Sequence, residues 1–186
     1  MKKIAMIMVV IFGVQLMALG QPFEKGDKTI NLGIGIGSAL YSGKYYKMRI
    51  PPISLSYEQG ITNKLGIGYI GVGGYFGISG SKWETDILGD KYGWKYTYIV
   101  LGARGAYHFD LVDDLDIYAG LILGVNIVSS KEFGDFPAGI SVSEQSTGVA
   151  HSEFAGIRWF FKPNFALMAE LGYGISYLTV GAAFKF

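Results

Sequence analysis

Four charged residues stand on chain faces that are otherwise nearly empty of charge. Glu58, Arg104, Arg158 and Glu170 share their faces with small residues such as Ser56, Gly102, Gly156 and Gly172. Each also lies a few residues from a short turn, so all four should converge in one half of a shared interior. Two carboxylates and two guanidinium groups taken out of water must pair, because an isolated buried charge is very costly. The chemistry they support is ion pairing, a network that blocks a bore. The expectation is a permanently closed plug that fixes strand register. A gate that opens by exchanging partners is the alternative.

Other residues suggest chemistry more weakly. His151, Ser152 and Glu153 have the types of a hydrolase base, nucleophile and acid. Consecutive strand residues point to opposite faces, however, so Ser152 cannot join the other two. Asp110, Asp113, Asp114 and Asp116 could offer oxygens to Ca²⁺ but lack an interleaved Asp/Asn-Gly loop, and Asp is a common turn residue. A basic loop from Lys44 to Arg49 could touch anionic lipopolysaccharide by charge attraction, and a later loop with Phe133, Phe136 and Pro137 could present aromatics to a partner. Glycines such as Gly33, Gly35 and Gly37 alternate within a strand and precede no helix that could receive a phosphate. No catalytic, cofactor or metal site is expected.

The elements that must position the charged residues are strands. The last nine residues alternate, with Leu178, Val180, Ala182, Phe184 and Phe186 on one face. The same period of two runs from about Thr29 to Tyr41, from Pro51 to Glu58 and from Leu65 to Ser79. It recurs from Trp94 to Phe109, Leu115 to Ser129, Val149 to Phe161 and Phe165 to Gly174. A phase slip in the third strand predicts a bulge near Tyr69. Gly80–Gly93 and Ser130–Thr147 are expected as long polar loops. Gly60–Lys64, Asp110–Asp114 and Pro163–Asn164 are expected as tight turns, which gives eight strands with alternating short and long connections.

Residues 1–20 have the form of a cleavable export signal. Lys2 and Lys3 precede an apolar stretch, and Ala18-Leu19-Gly20 offers a cleavage point before Gln21. The remainder, residues 21–186, suits one domain. Losing two lysines moves the count from 16 cationic and 15 acidic side chains to 14 and 15, near neutrality. That argues against nucleic acid, whose binding needs concentrated positive charge. With no cysteine, disulfides, lipid acylation and thiolate metal sites are excluded. Half of the residues are apolar, yet no run after the signal reaches the ~18 expected of a membrane helix.

The composition of the second face says which side is outside. A water-facing surface needs abundant Lys, Glu and Asp, and this face offers mainly Gly, Ser, Ala and Asn. Small residues suit the crowded interior of a narrow barrel. Tyr57, Tyr107, Phe109, Trp159, Phe161, Phe165, Phe184 and Phe186 fall beside the short turns, where an aromatic girdle meets a membrane interface.

The segments Pro51 to Glu58, Leu65-Gly66-Ile67-Gly68 and Glu170-Leu171-Gly172-Tyr173-Gly174 to Phe186 resemble small outer-membrane β-barrel proteins common in Bacteroidota, within the OmpA/OmpX-like eight-stranded, porin-like group. The resemblance implies location in the outer membrane after export through the periplasm. It also implies insertion by the barrel-assembly machinery, which reads Phe184 and Phe186. The expectation is an all-β, eight-stranded, antiparallel up-and-down transmembrane barrel. It would be a monomer in contact with outer-membrane lipid and lipopolysaccharide, with a structural or surface-interaction role and no catalysis. A narrow channel for ions or small solutes is the alternative, followed by a lipid-modifying enzyme.

Overall fold

The computed structural model describes residues 23–41, 45–87, 90–134 and 143–186. The expected signal and its Gly20–Gln21 junction lie outside the described residues. Eight strands follow one another: β1 (Lys28–Ile36), β2 (Tyr46–Gly60), β3 (Gly68–Ile87), β4 (Asp90–Val112), β5 (Leu115–Phe133), β6 (Ser143–Lys162), β7 (Phe165–Gly172) and β8 (Leu178–Lys185). Each pairs antiparallel with the next, and β1 pairs with β8, so the sheet closes on itself. Closure leaves no strand edge unpaired, the condition a sheet must meet in hydrocarbon.

The alternation sorts the side chains as expected. Leu32, Leu123 and Leu167 are 57%, 56% and 52% exposed on the outside, while Thr29, Asn31 and Ser56 are buried within. Exposed and half-buried aromatics on the outer face ring the end that carries the tight turns. Tyr107 meets Phe109 edge-on with ring centres 5.0 Å apart, Phe161 meets Phe165 at 5.4 Å, and Phe184 stacks on Phe186 at 6.0 Å.

Four expectations about boundaries are corrected. First, β2 begins at Tyr46, so Lys47 and Arg49 belong to a strand and not to a loop. Pro51 and Pro52 interrupt that strand instead of opening it. Lacking amide hydrogens, they coincide with a register shift between Ile50 and Ile53. Second, there is no bulge at Tyr69, since pairing runs unbroken from Gly68↔Phe109 onward. The phase changes because Leu65 and Ile67 sit in the turn, where Leu65 bridges to Gly68 and Gly66 adopts φ +65°.

Third, most of the two expected long loops is strand. β3 and β4 stay paired to Ile87↔Asp90, and β5 and β6 to Lys131↔Ser143. Both hairpins thus rise beyond the barrel. Fourth, β1 stops at Ile36, before Gly37 turns the chain with φ +70°, and β7 stops at Gly172, before Gly174 at φ +136°.

Candidate functional site

Glu58, Arg104, Arg158 and Glu170 come from β2, β4, β6 and β7, and the inward parity of those strands brings all four into the half of the lumen nearest the tight turns. Arg104 Nε donates to Glu58 Oε2 at 3.1 Å, and its Nη2 donates to Glu170 Oε1 at 2.6 Å. Arg158 Nη2 donates to the same Glu58 oxygen at 2.9 Å. The four side chains are thus linked through Glu58 and Arg104.

The cluster is larger than the sequence suggested. Arg158 Nη1 donates to Asp116 Oδ2 at 2.8 Å. His108 lies between two carboxylates, with Nδ1 2.8 Å from Asp116 Oδ1 and Nε2 against Glu58 Oε1. An imidazolium can donate through both nitrogens, and it would bring three cations to meet three anions. Tyr118 closes the network by donating its hydroxyl to Glu170 Oε1 at 2.7 Å. Glu58, Arg104, His108, Asp116 and Arg158 are all at most 2% exposed.

Packing holds these charges in place. The Arg104 guanidinium lies 3.8 Å from the centre of the Phe154 ring, and that of Arg158 lies 4.4 Å from Tyr118. Gly71 and Gly156 make room: a Cβ on Gly71 would meet Glu58 Oε1 at 2.5 Å, and one on Gly156 would meet the Tyr118 ring at 2.6 Å. From the turn end, Phe23 is buried ahead of β1 and stacks on the His108 ring at 3.8 Å. Beside it, Lys185 reaches Asp27 at 3.5 Å, and Phe160, Ala166 and Ala183 pack together.

Towards the hairpin end buried charges give way to apolar and small polar side chains, among them Ser79 and Ser176. Ala106, Tyr118, Ile122 and Phe154 form one cluster. Beyond it lies a cavity of about 140 Å³, lined in part by Val100, Ile122, Asn126, Tyr173 and Ile175. Among the described residues, Asn126 Oδ1 is buried there without a hydrogen-bond partner. The short β7–β8 connection folds inward, burying Ile175 and Ser176, and Gly174 accepts a hydrogen bond from the Ala39 amide at 2.9 Å.

The weaker candidates separate. Ser152 turns inward and donates to the Tyr173 carbonyl, while His151 and Glu153 meet on the exposed side at 3.2 Å. The aspartates scatter, with Asp110 paired to Lys64 at 2.5 Å and Asp116 in the lumen. Phe133 ends β5 beneath the Lys95 ammonium, 4.9 Å from its ring centre, while Phe136 and Pro137 lie outside the described residues.

No family model and no curated protein matches the chain. Among solved structures it is similar to Ail, the attachment invasion locus protein of Yersinia pestis, in complex with the heparin analogue sucrose octasulfate. That match has 18% identity and a TM-score of 0.55, and it covers 87% of this chain and 99% of that one. A second structure of the same protein gives 16% identity and a TM-score of 0.52 over the same shares. At this identity the likeness is one of fold, an eight-stranded antiparallel up-and-down barrel.

Proposed function

We propose that the chain is an outer-membrane protein with a structural or surface-interaction role, its lumen sealed by the charge cluster and its long hairpins held out from the cell. The observation that carries this reading is the six-residue ion network, buried across the bore and backed by Phe23. A charged group is kept in such a place only when its partners are present, and here the partners come from five strands, so the cluster ties the barrel together across its axis. The apolar exterior and the shared fold with Ail support the membrane location. Export through the periplasm, insertion by the barrel-assembly machinery through Phe184 and Phe186, and action as a monomer belong to the same reading.

The surface role rests on the hairpins, which carry aromatic and basic residues above the apolar belt, among them Tyr46, Arg49, Lys95 and Tyr96. Ail was captured with a heparin analogue, and an anionic glycan is the corresponding class of surface partner for this chain. Catalysis has no part in the reading, since Ser152 and His151 diverge.

Planar-bilayer recording tests the seal. The wild-type barrel should show no unitary conductance, and Arg104→Ala should show at most irregular leak. A well-defined wild-type channel whose conductance changes in Arg104→Ala would instead establish the narrow-channel alternative.

A further inference from the structure

Cross-strand register places four lysines in one line around the outside of the barrel. Lys47 pairs with Lys82, Lys82 with Lys95, and Lys95 with Lys131, so the row crosses β2, β3, β4 and β5. Directly opposed residues share a face and sit about 5 Å apart, and like charges so placed are destabilising. Glu84 relieves part of this by bonding Lys47 and Lys82. Arg49 adds a fifth cation just below, donating from Nη2 to Thr97 Oγ1 at 2.8 Å.

The depth of the row points to its partner. Ile53, Ile78, Ile99 and Ile127 form a matching line on the same outer face, one residue from each of the same strands. Above it come Ile50, Gly80, Thr97 and Ser129, and next come the lysines. Four residues along a tilted strand rise roughly 10 Å. The lysines therefore sit where hydrocarbon gives way to headgroups, at the hairpin end, and they face the lipid and not the lumen. Lys95 and Lys131 are exposed, and the Lys47 side chain is 63% exposed.

We propose that this row is a binding site for phosphorylated lipid headgroups of the outer leaflet, with the phosphates seated between neighbouring ammonium groups. The inference rests on the outer-membrane reading above and names the lipid class that the hairpin face engages. Aligned ammonium groups on long flexible stems act as point charges that can follow a disaccharide bearing two phosphates.

The test uses the folded chain in phosphatidylcholine nanodiscs doped with bis-phosphorylated lipid A or with its fully dephosphorylated form. Lipid retained on the ejected protein is measured by native mass spectrometry. Wild type should retain the phosphorylated form selectively. Lys82→Gln/Lys95→Gln/Lys131→Gln should lose about tenfold or more of that retention, and the matching Lys→Arg variant should keep it. Equal retention by wild type and the glutamine variant, or indifference to the phosphates, would overturn the proposal. So would tight binding of a heparin fragment with lipid A ignored, which would assign the row to a soluble polyanion. If the glutamine variant does not fold, the wild-type comparison of the two lipids decides alone. Insertion into undoped discs with heat-modifiable gel mobility tests the barrel reading separately.

Discussion

Arg158 ties the lumen cluster together, because its two terminal nitrogens hold Glu58 and Asp116 at once. Replacing it with Met leaves both carboxylates buried beside one fewer cation. Breaking a buried pair in this way costs about 3–5 kcal/mol. Urea unfolding of Arg158→Met in lipid vesicles should show a loss of that order, with the fold retained. A loss near zero would mean that water reaches the cluster. Two of the members that the sequence hid, His108 and Asp116, were accessible in principle through parity. His108 lies on the face of Arg104, four residues on, and Asp116 on the face of Tyr118. Asp116 was masked by the acidic turn beside it, and His108 because an imidazole, unlike a guanidinium, can be buried neutral and does not by itself demand an anionic partner. Phe23 left no such trace, since it precedes the first strand and only the closed barrel brings it under His108.

Among the elements, the β3–β4 hairpin departs most from expectation. Inside the belt each strand alternates apolar with small residues. Beyond Ser79 both faces carry mixed residues, as in Lys82, Trp83, Glu84 and Thr85, so the period of two fades although pairing continues. Backbone pairing and a clasp of charges sustain the extension instead. Lys47, and after it Lys82, hold the Glu84 carboxyl at about 2, below its ordinary value of 4.5. A carboxylate depressed in the folded state stabilises fully above about 4.5 and loses that contribution as pH falls towards 2. Hydrogen exchange at the Trp83 and Trp94 amides, corrected for intrinsic rates, should report constant protection above pH 5 and falling protection below it. Glu84→Gln should be weaker at neutral pH and lack that acid step. An identical step in Glu84→Gln would assign the transition to another group.

On the scale of the whole molecule, strand count, antiparallel order and the assignment of faces were all legible from alternation, because a narrow bore admits little besides small residues and paired charges while the outer face stays apolar along the belt. Hairpin lengths and the breadth of the charge cluster depend on which strands become neighbours, information no single segment carries. The account as a whole stands on apolar side chains meeting lipid while charges turn inward. The chain has no cysteine, so single nitroxide labels at Leu121→Cys and Ile122→Cys on β5 test this directly by spin relaxation in phosphatidylcholine vesicles. Leu121, 50% exposed, should be strongly relaxed by oxygen dissolved in the bilayer, while Ile122, 4% exposed, should be shielded from oxygen and from an aqueous nickel chelate alike. Oxygen relaxation stronger at 122 than at 121, or nickel access at 121, would contradict the account.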